Sequence, residues 1–170
     1  MSDIIYRTAT AADAPLMARI GAETFIETFG HLYTPENLAA FLANHSEENW
    51  RAELNDPGLA IRLAEQDGMA VGFAKVGPHK LPSPASGPAA ELRQLYVLIP
   101  WHGTGVAQTL MAWAMDQGRA RGAEEMFLSV FVDNHRAQRF YARYGFEAVG
   151  SYAFMVGDHA DEDIIMRAPL

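Results

Sequence analysis

A glycine-containing turn between a predicted strand and a predicted helix is the part of the sequence best suited to chemistry. The turn runs His102-Gly103-Thr104-Gly105-Val106-Ala107 and follows the apolar run 92–98. The first backbone N–H groups of a helix have no partner within it, and the helix dipole favours negative charge there. Gly103 and Gly105 carry no side chain that would keep a phosphate from the main chain. The turn therefore predicts an anion site, with a tight turn of purely conformational glycines as the alternative.

This turn matches neither of two common phosphate-binding loops. The nucleoside triphosphate loop ends in Gly-Lys-Ser/Thr, and the turn contains no lysine. The dinucleotide fingerprint needs a small residue three positions after its second glycine, where this sequence has Gln108. A dinucleotide-dependent oxidoreductase should also show repeated strand–helix units, which the hairpin signal Gln66-Asp67-Gly68 contradicts. Neither loop therefore fits this turn.

A second motif lies downstream, and together with the turn it resembles the GNAT superfamily of acyl-CoA-dependent N-acyltransferases. The family signature Arg/Gln-x-x-Gly-x-Gly/Ala begins five residues after a strand valine; here Val97 is followed by His102, Gly105 and Ala107. The family element Asn-x-x-Ala-x-x-Phe-Tyr-x-x-x-Gly-Phe is present as Asn134, Ala137, Phe140, Tyr141, Gly145 and Phe146. His102 replaces the usual Arg or Gln, which affects a side-chain contact to phosphate and leaves the backbone donors unchanged.

The remaining sequence predicts the elements that must position these motifs. Hydrophobic periodicity, caps and turn signals predict a strand at 4–7, helices at 10–29 (bent near Gly21 or Gly30), 34–42 and 46–54, strands at 59–65 and 69–75, a loop at 77–89, a strand at 91–98, a helix at 108–121, a strand at 125–132, a helix at 134–144, and strands at 146–156 and 164–167. The acidic segment 158–163 is expected to be a solvated hairpin loop.

This order of elements is similar to the GNAT topology over nearly the whole chain. The resemblance implies an α+β fold with a mixed, mostly antiparallel central sheet, helices on both faces, and middle strands that splay apart. Those strands are the predicted ones at 91–98 and 125–132, and the gap between them would admit the pantetheine arm of the cofactor. The length of 170 residues predicts a single domain over 1–170.

The overall charge disfavours some partners. The formal net charge is −8, so binding of nucleic acid through a basic face is not expected, whereas a cationic amine would be attracted. No apolar run reaches membrane-spanning length, and the N-terminus lacks the pattern of a secretion signal. The chain has no cysteine, which favours a reducing cytoplasm. No histidine pair has the spacing of a metal site, and a homodimer is left open.

The resemblance implies that acetyl-CoA is the co-substrate. Backbone groups of Leu95 and Val97 would contact the pantetheine and thioester, and a bulge in their strand would free one donor. Residues 102–107 would bind the pyrophosphate, and Asn134 would contact a pantetheine amide. The full set of expected cofactor-binding residues is Leu95, Tyr96, Val97, His102, Gly103, Thr104, Gly105, Val106, Ala107, Asn134, Ala137 and Phe140.

Two residues are predicted to transfer protons. Tyr141 shares a helix face with Asn134 and Ala137, and the resemblance implies that its hydroxyl protonates the departing thiolate; packing in the core is the alternative. Phe140 is expected to point into the core. A primary ammonium must lose a proton before it attacks, and Glu91 is the predicted base, directly or through a water, with a solvated strand-end role as the alternative.

The N-terminal helices indicate the acceptor. The segments 23–29 and 33–42 resemble those of bacterial polyamine N-acetyltransferases of the Pai type. Phe25, Phe29 and Tyr33 would form an aromatic wall for an aliphatic chain, with Glu23 or Glu27 pairing with a distal ammonium; packing of the three rings in the core is the alternative. The predicted function is transfer of an acetyl group to a primary amine of a polyamine-like small molecule. Acetylation of a peptide or protein amine, or an acyl-CoA sensor without turnover, are the alternatives.

Overall fold

The computed structural model describes residues 2–170, which form a seven-stranded sheet with helices on both faces. The elements are β1 (Ile5–Thr8), α1 (Ala14–Phe29), α2 (Pro35–Ala43), α3 (Glu47–Leu54), β2 (Ala60–Gln66), β3 (Met69–Pro78), β4 (Ala89–Val97), α4 (Val106–Ala120), β5 (Glu125–Phe131), α5 (His135–Ala142), β6 (Glu147–Val156) and β7 (His159–Pro169). This order confirms the predicted α+β architecture. None of the helices in the described range is long and apolar enough to cross a bilayer.

The two middle strands of the sheet separate along their length. The strand order is β1-β2-β3-β4-β5-β7-β6, and β4 and β5 form the parallel pair. Their pairing runs from Ala89 opposite Glu125 to Glu91 opposite Phe127 and goes no further along these described strands. The remaining residues of β4 and β5 therefore flank an opening in the sheet, which confirms the predicted splay.

A β-bulge in β4 marks the point where the strands part. In the β3–β4 ladder Leu92 lies opposite Val76 and Gln94 lies opposite Lys75, so Arg93 is the extra residue. A bulge leaves its extra residue unpaired, bends the strand and increases its twist. Because Arg93 lies just after the last β4–β5 pair, the bulge accounts for the divergence of β4 from β5.

Two apolar cores lie on opposite faces of the sheet. Leu110, Met111 and Ala114 of α4 are fully buried against one face, in a core that also includes Tyr141 of α5. The other face packs against α1 and α3, where Trp50 is 1% exposed. Burial of each large apolar side chain stabilises the fold by roughly 1.5–3 kcal/mol. The sheet opening thus lies between two packed layers that keep its walls in place.

One prediction for the N-terminal region is confirmed and one for the C-terminal region needs correction. The first long helix is interrupted at Gly30, the second of the two positions predicted: α1 ends at Phe29 and a 3-10 turn follows at Gly30–Leu32. The helix continues through Gly21, where an added Cβ would lie 3.1 Å from Trp50. The predicted loop 158–163 is wrong, because β7 begins at His159 and includes most of it. Its acidic composition concealed a period-two pattern, in which Asp161 and Asp163 are buried and Glu162 is exposed.

Candidate functional site

The opening between β4 and β5 leads into a cleft of about 250 Å³. Residues 95–97 of β4 and 129–131 of β5 form its two sides. The turn before α4 and the helix α5 line it on one face of the sheet, and α1 together with β7 lines it on the other. The cleft therefore joins the predicted cofactor region to the predicted acceptor region through the sheet.

The glycine turn leaves open space at the start of α4. Gly103 and Gly105 have φ angles of +74° and +95°, a left-handed conformation that favours glycine. A Cβ built on either residue would meet no atom within 4 Å, so nothing described in the structure fills the space before the helix. No side chain caps the N-terminus of α4. The turn thus fits an anion, because its backbone donors remain accessible and no side chain shields them.

His102 is held by the strand that precedes the turn. Its Nε2 lies 2.7 Å from the carbonyl oxygen of Val97. Its Nδ1 contacts the guanidinium of Arg136, a residue at the start of α5 that the sequence analysis did not select. Among the predicted turn residues, His102, Gly103 and Ala107 line the cleft, whereas Thr104 bonds back to the carbonyl oxygen of Trp101.

Tyr141 lies in the cleft, on the cofactor face of the sheet. Its side chain is 9% exposed, and burial raises the pKa of its phenol above the usual range. The hydroxyl therefore stays protonated at neutral pH, as a proton donor must. Asn134, Ala137 and Phe140 line the same cleft, so Phe140 does not point only into the core as expected. The amide oxygen of Asn134 accepts a bond of 3.2 Å from the backbone of Ala137 and caps α5.

Glu91 does not reach the cleft. It lies where β4 and β5 are still paired, and its Oε1 accepts a hydrogen bond of 2.8 Å from the backbone N–H of Lys80. It is absent from the residues that line the opening, which begins beyond it along β4. In the described structure Glu91 therefore lies outside the lining of the opening and is hydrogen-bonded to the β3–β4 loop; its role as the base stays a prediction.

The aromatic wall on the acceptor face is present, but its predicted carboxylates lie elsewhere. Phe25, Phe29 and Tyr33 all line the cleft, and the rings of Phe25 and Tyr33 stack 5.9 Å apart. Glu23 pairs with an arginine one turn earlier in α1. Glu27 accepts a hydrogen bond of 3.0 Å from the backbone of residue 99. Neither glutamate lines the cleft, so α1 contributes Phe25, Thr28 and Phe29 but no carboxylate.

Two aspartates of β7 supply the negative charge instead. Asp161 and Asp163 are 7% and 6% exposed and line the cleft beside the aromatic wall. Tyr33 donates a hydrogen bond from its hydroxyl to Asp161, and His159 Nε2 lies 3.0 Å from the same carboxylate. Burial raises the pKa of Asp163 to about 6, although a bond from Ser129 acts in the opposite direction. Residues 161–165 read Asp-Glu-Asp-Ile-Ile, with no alternation of polar and apolar types, so the sequence carried no periodic signal of this buried face.

Burial affects a second phenol of the cleft. It raises the pKa of Tyr96 to about 12, with a smaller contribution from the charge of Asp163. Tyr96 therefore remains neutral on β4, between the acidic acceptor face and Tyr141. Across residues 2–170, no group of three or more His, Asp or Glu side chains could hold a metal ion.

Comparison with known proteins gives consistent matches. The model of the acetyltransferase (GNAT) family matches residues 22–146. An uncharacterised N-acetyltransferase of Mycobacterium tuberculosis is 36% identical over 91% of this chain and 96% of its own. The L-amino acid N-acetyltransferase AaaT of Escherichia coli is 28% identical over 98% and 99% of the two chains. The structure of PaiA N-acetyltransferase from Thermoplasma acidophilum, in complex with coenzyme A, aligns with a TM-score of 0.78 at 20% identity over 99% of both chains.

Proposed function

The chain belongs to the acetyltransferase (GNAT) family and transfers an acetyl group from acetyl-CoA to an amine, and we propose that this amine is a small, polyamine-like cation. The observation that carries the proposal is the pair Asp161 and Asp163, buried in the cleft beside an aromatic wall. In the described part of the chain neither carboxylate forms a salt bridge with lysine or arginine, and the imidazole of His159 beside Asp161 is a cation only when protonated. A buried carboxylate without a cationic partner is costly, and a bound ammonium would offset that cost.

The aromatic side chains suit the rest of such a molecule. Phe25, Phe29 and Tyr33 provide an apolar surface for a methylene chain and ring faces for an ammonium. The cleft also supplies two arginines, Arg93 and Arg136, but the first donates to the carbonyl oxygen of Pro78 and the second lies at the turn before α4. The acceptor end of the cleft is therefore acidic and aromatic, which favours a diamine or polyamine.

The cleft contains the groups needed for proton transfer. Acetyl-CoA supplies a thioester whose carbonyl carbon bonds to the amine nitrogen as the carbon–sulfur bond breaks. We assign Asp163 as the group that takes the proton from the acceptor ammonium, because it lines the cleft where Glu91 does not. Tyr141 gives its proton to the departing sulfur and regains one from solvent, while the nitrogen loses its second proton to solvent as the amide forms. Residues 95–97 line the cleft, and their backbone N–H groups would donate to the developing oxyanion.

Other acceptor classes carry a charge that this site disfavours. The Escherichia coli relative is named for L-amino acids, in which a carboxylate neighbours the reacting amine. That carboxylate would face Asp161 and Asp163, and like charges in a desolvated cleft repel each other. A peptide N-terminus lacks this charge and remains the second candidate, since the amine alone could enter the cleft.

The test is release of free thiol from acetyl-CoA with a panel of amines. We expect spermidine or a simple diamine to be turned over at least tenfold more efficiently, in kcat/KM, than L-amino acids or peptide N-termini. Asp161→Asn should raise KM for the diamine about tenfold, because it removes a charged partner of the ammonium. Asp158→Asn, in the exposed turn of the same hairpin, is the matched control and should have no effect. Equal turnover of amino acids, or turnover of none of the amines, would contradict the proposal.

A further inference from the structure

The turn before α4 lacks a cation of its own, yet a cation reaches it from another element. His102 stands at the position where the family signature has Arg or Gln. The guanidinium of Arg136, at the start of α5, contacts the imidazole of His102 and lines the same cleft. The two residues are 34 positions apart in sequence. Packing of α5 beside the turn therefore brings a positive charge to a site whose own sequence provides none.

The hydrogen bonds of His102 fix the role of its ring. A carbonyl oxygen can only accept, so the 2.7 Å contact between Nε2 and Val97 places the ring hydrogen on Nε2. Nδ1 then has a free lone pair, which accepts a hydrogen bond from Arg136. A neutral imidazole thus tethers the guanidinium to the strand that leads into the turn. In this arrangement His102 orients the charged guanidinium of Arg136 and is itself uncharged.

The guanidinium retains the capacity to bind an anion. Arginine has five N–H donors, and the contact with His102 uses one of them. Arg136 is exposed, and it forms no salt bridge with a carboxylate among residues 2–170. The space before α4 is open at Gly103 and Gly105. Because the net charge of the chain is −8, a local cation is needed to offset long-range repulsion of a phosphate ligand.

We propose that Arg136, positioned by His102, binds the diphosphate of coenzyme A and supplies from α5 the charge that the turn lacks. Bidentate contact of a guanidinium with phosphate oxygens is geometrically favourable and strong. The backbone donors of the turn and the guanidinium then bind the diphosphate from two sides. Arg136 would contact the cofactor directly, and His102 would act through Arg136.

Calorimetric binding of coenzyme A and of 3′-dephospho-coenzyme A tests the assignment without any acceptor. Arg136→Gln should weaken both ligands about tenfold, because the loss of one charge-assisted contact acts on the diphosphate that they share. Arg139→Gln, an exposed arginine of the same helix that does not line the cleft, makes the same change of charge and should leave both affinities unchanged. Unchanged affinity in Arg136→Gln, or a loss confined to coenzyme A, would overturn the assignment to the diphosphate.

The role of His102 is tested by a double-mutant cycle. His102→Ala should weaken coenzyme A binding in the wild-type background. It should cause little further loss of affinity in Arg136→Gln, because no guanidinium is then present for His102 to orient. Fully additive losses would show that His102 acts independently of Arg136. Thermal unfolding of all four proteins gives the stability change that a purely structural role of the Val97 contact would produce.

Discussion

The hydroxyl of Tyr33 donates a hydrogen bond to the carboxylate of Asp161 across the acceptor side of the cleft. This contact joins the segment between α1 and α2 to β7, 128 positions away in sequence. Burial and the bond to Asp161 raise the pKa of Tyr33 above its usual range, so the hydroxyl remains a donor at neutral pH. Asp161 is therefore oriented by the neutral hydroxyl of Tyr33 on one oxygen and by the imidazole of His159 on the other.

Tyr33→Phe should impair binding of the acceptor and leave binding of the cofactor intact. Loss of the hydroxyl frees Asp161 to rotate, and we expect KM for a diamine to rise at least about tenfold, since a hydrogen bond to a charged group is worth about 1.5–3 kcal/mol. Steady-state kinetics with a diamine and calorimetry with coenzyme A measure the two effects. Tyr6→Phe in β1 is the control. A loss of coenzyme A affinity in Tyr33→Phe would show that this contact supports cofactor binding, contrary to the prediction.

Activity should depend on the titration of Asp163. Burial raises the pKa of this carboxyl from 3.8 to about 6, so the base is available above that pH and becomes protonated below it. We expect log kcat/KM for a diamine to fall with unit slope as the pH drops through about 6. Asp163→Asn should lower kcat about 100-fold and remove this limb. If log kcat/KM of Asp163→Asn still decreased with unit slope at low pH, another group would be responsible for the proton transfer.

The raised pKa of Asp163 also predicts an effect of pH on stability. The ionised carboxylate, which activity requires, lowers the stability of the fold. A carboxyl whose pKa is higher in the folded state favours the fold while protonated, and its contribution is lost as pH rises from about 4 through about 6. Asp163→Asn should therefore unfold about 3 °C above the wild type at pH 8, with the difference vanishing near pH 4. Calorimetric melting temperatures at the two pH values measure it. A variant that is less stable than the wild type at pH 8 would show that the bond with Ser129 outweighs the cost of burial.

Glu91→Gln should have little effect on turnover. The carboxylate accepts from the backbone of Lys80 at the closed end of the β4–β5 pair, and an amide oxygen can accept the same bond. We expect kcat within about twofold of the wild type and an unchanged pH profile. A loss of about 100-fold would restore Glu91 as the base that its position on β4 first indicated.

Features of the site that depend on short-range spacing could be predicted from the sequence, and features that depend on tertiary contacts could not. The turn 102–107 and the helix motif 134–146 were recognisable because short-range spacing determines their conformation. The location of Glu91 outside the cleft was not predictable, since the opening of the sheet depends on the bulge at Arg93 and its partners in β3. Asp161 and Asp163 were misplaced because acidic residues are common in loops, and only the neighbouring strand shows that they face a cleft.

Arg136 was missed for a related reason. Within the sequence it is one of several exposed arginines near α5, and nothing in its spacing distinguishes it. Its contact with His102 arises from the packing of α5 beside the turn before α4. The residues that recognise charge in this cleft, Arg136 at one end and the two aspartates at the other, are thus determined by tertiary structure.

Tyr141→Phe should slow the chemical step without weakening cofactor binding. The phenol keeps its proton because burial raises its pKa, and its removal leaves the departing sulfur without a nearby donor. We expect kcat to fall about 100-fold while the affinity for coenzyme A changes by less than about twofold. Phe140→Leu, a neighbouring change that keeps the hydroxyl, should retain most of the turnover. Equal kcat for Tyr141→Phe and the wild type would remove the phenol from the reaction.

The crystal structure of the protein with coenzyme A and a diamine tests most directly that the cofactor passes between β4 and β5. The account predicts the diphosphate on the backbone of residues 102–107, the sulfur about 3–4 Å from the Tyr141 hydroxyl, and an ammonium about 3 Å from Asp161 or Asp163. Coenzyme A bound outside the opening between the strands, or a diamine on the side of the sheet that carries Tyr141, would contradict it.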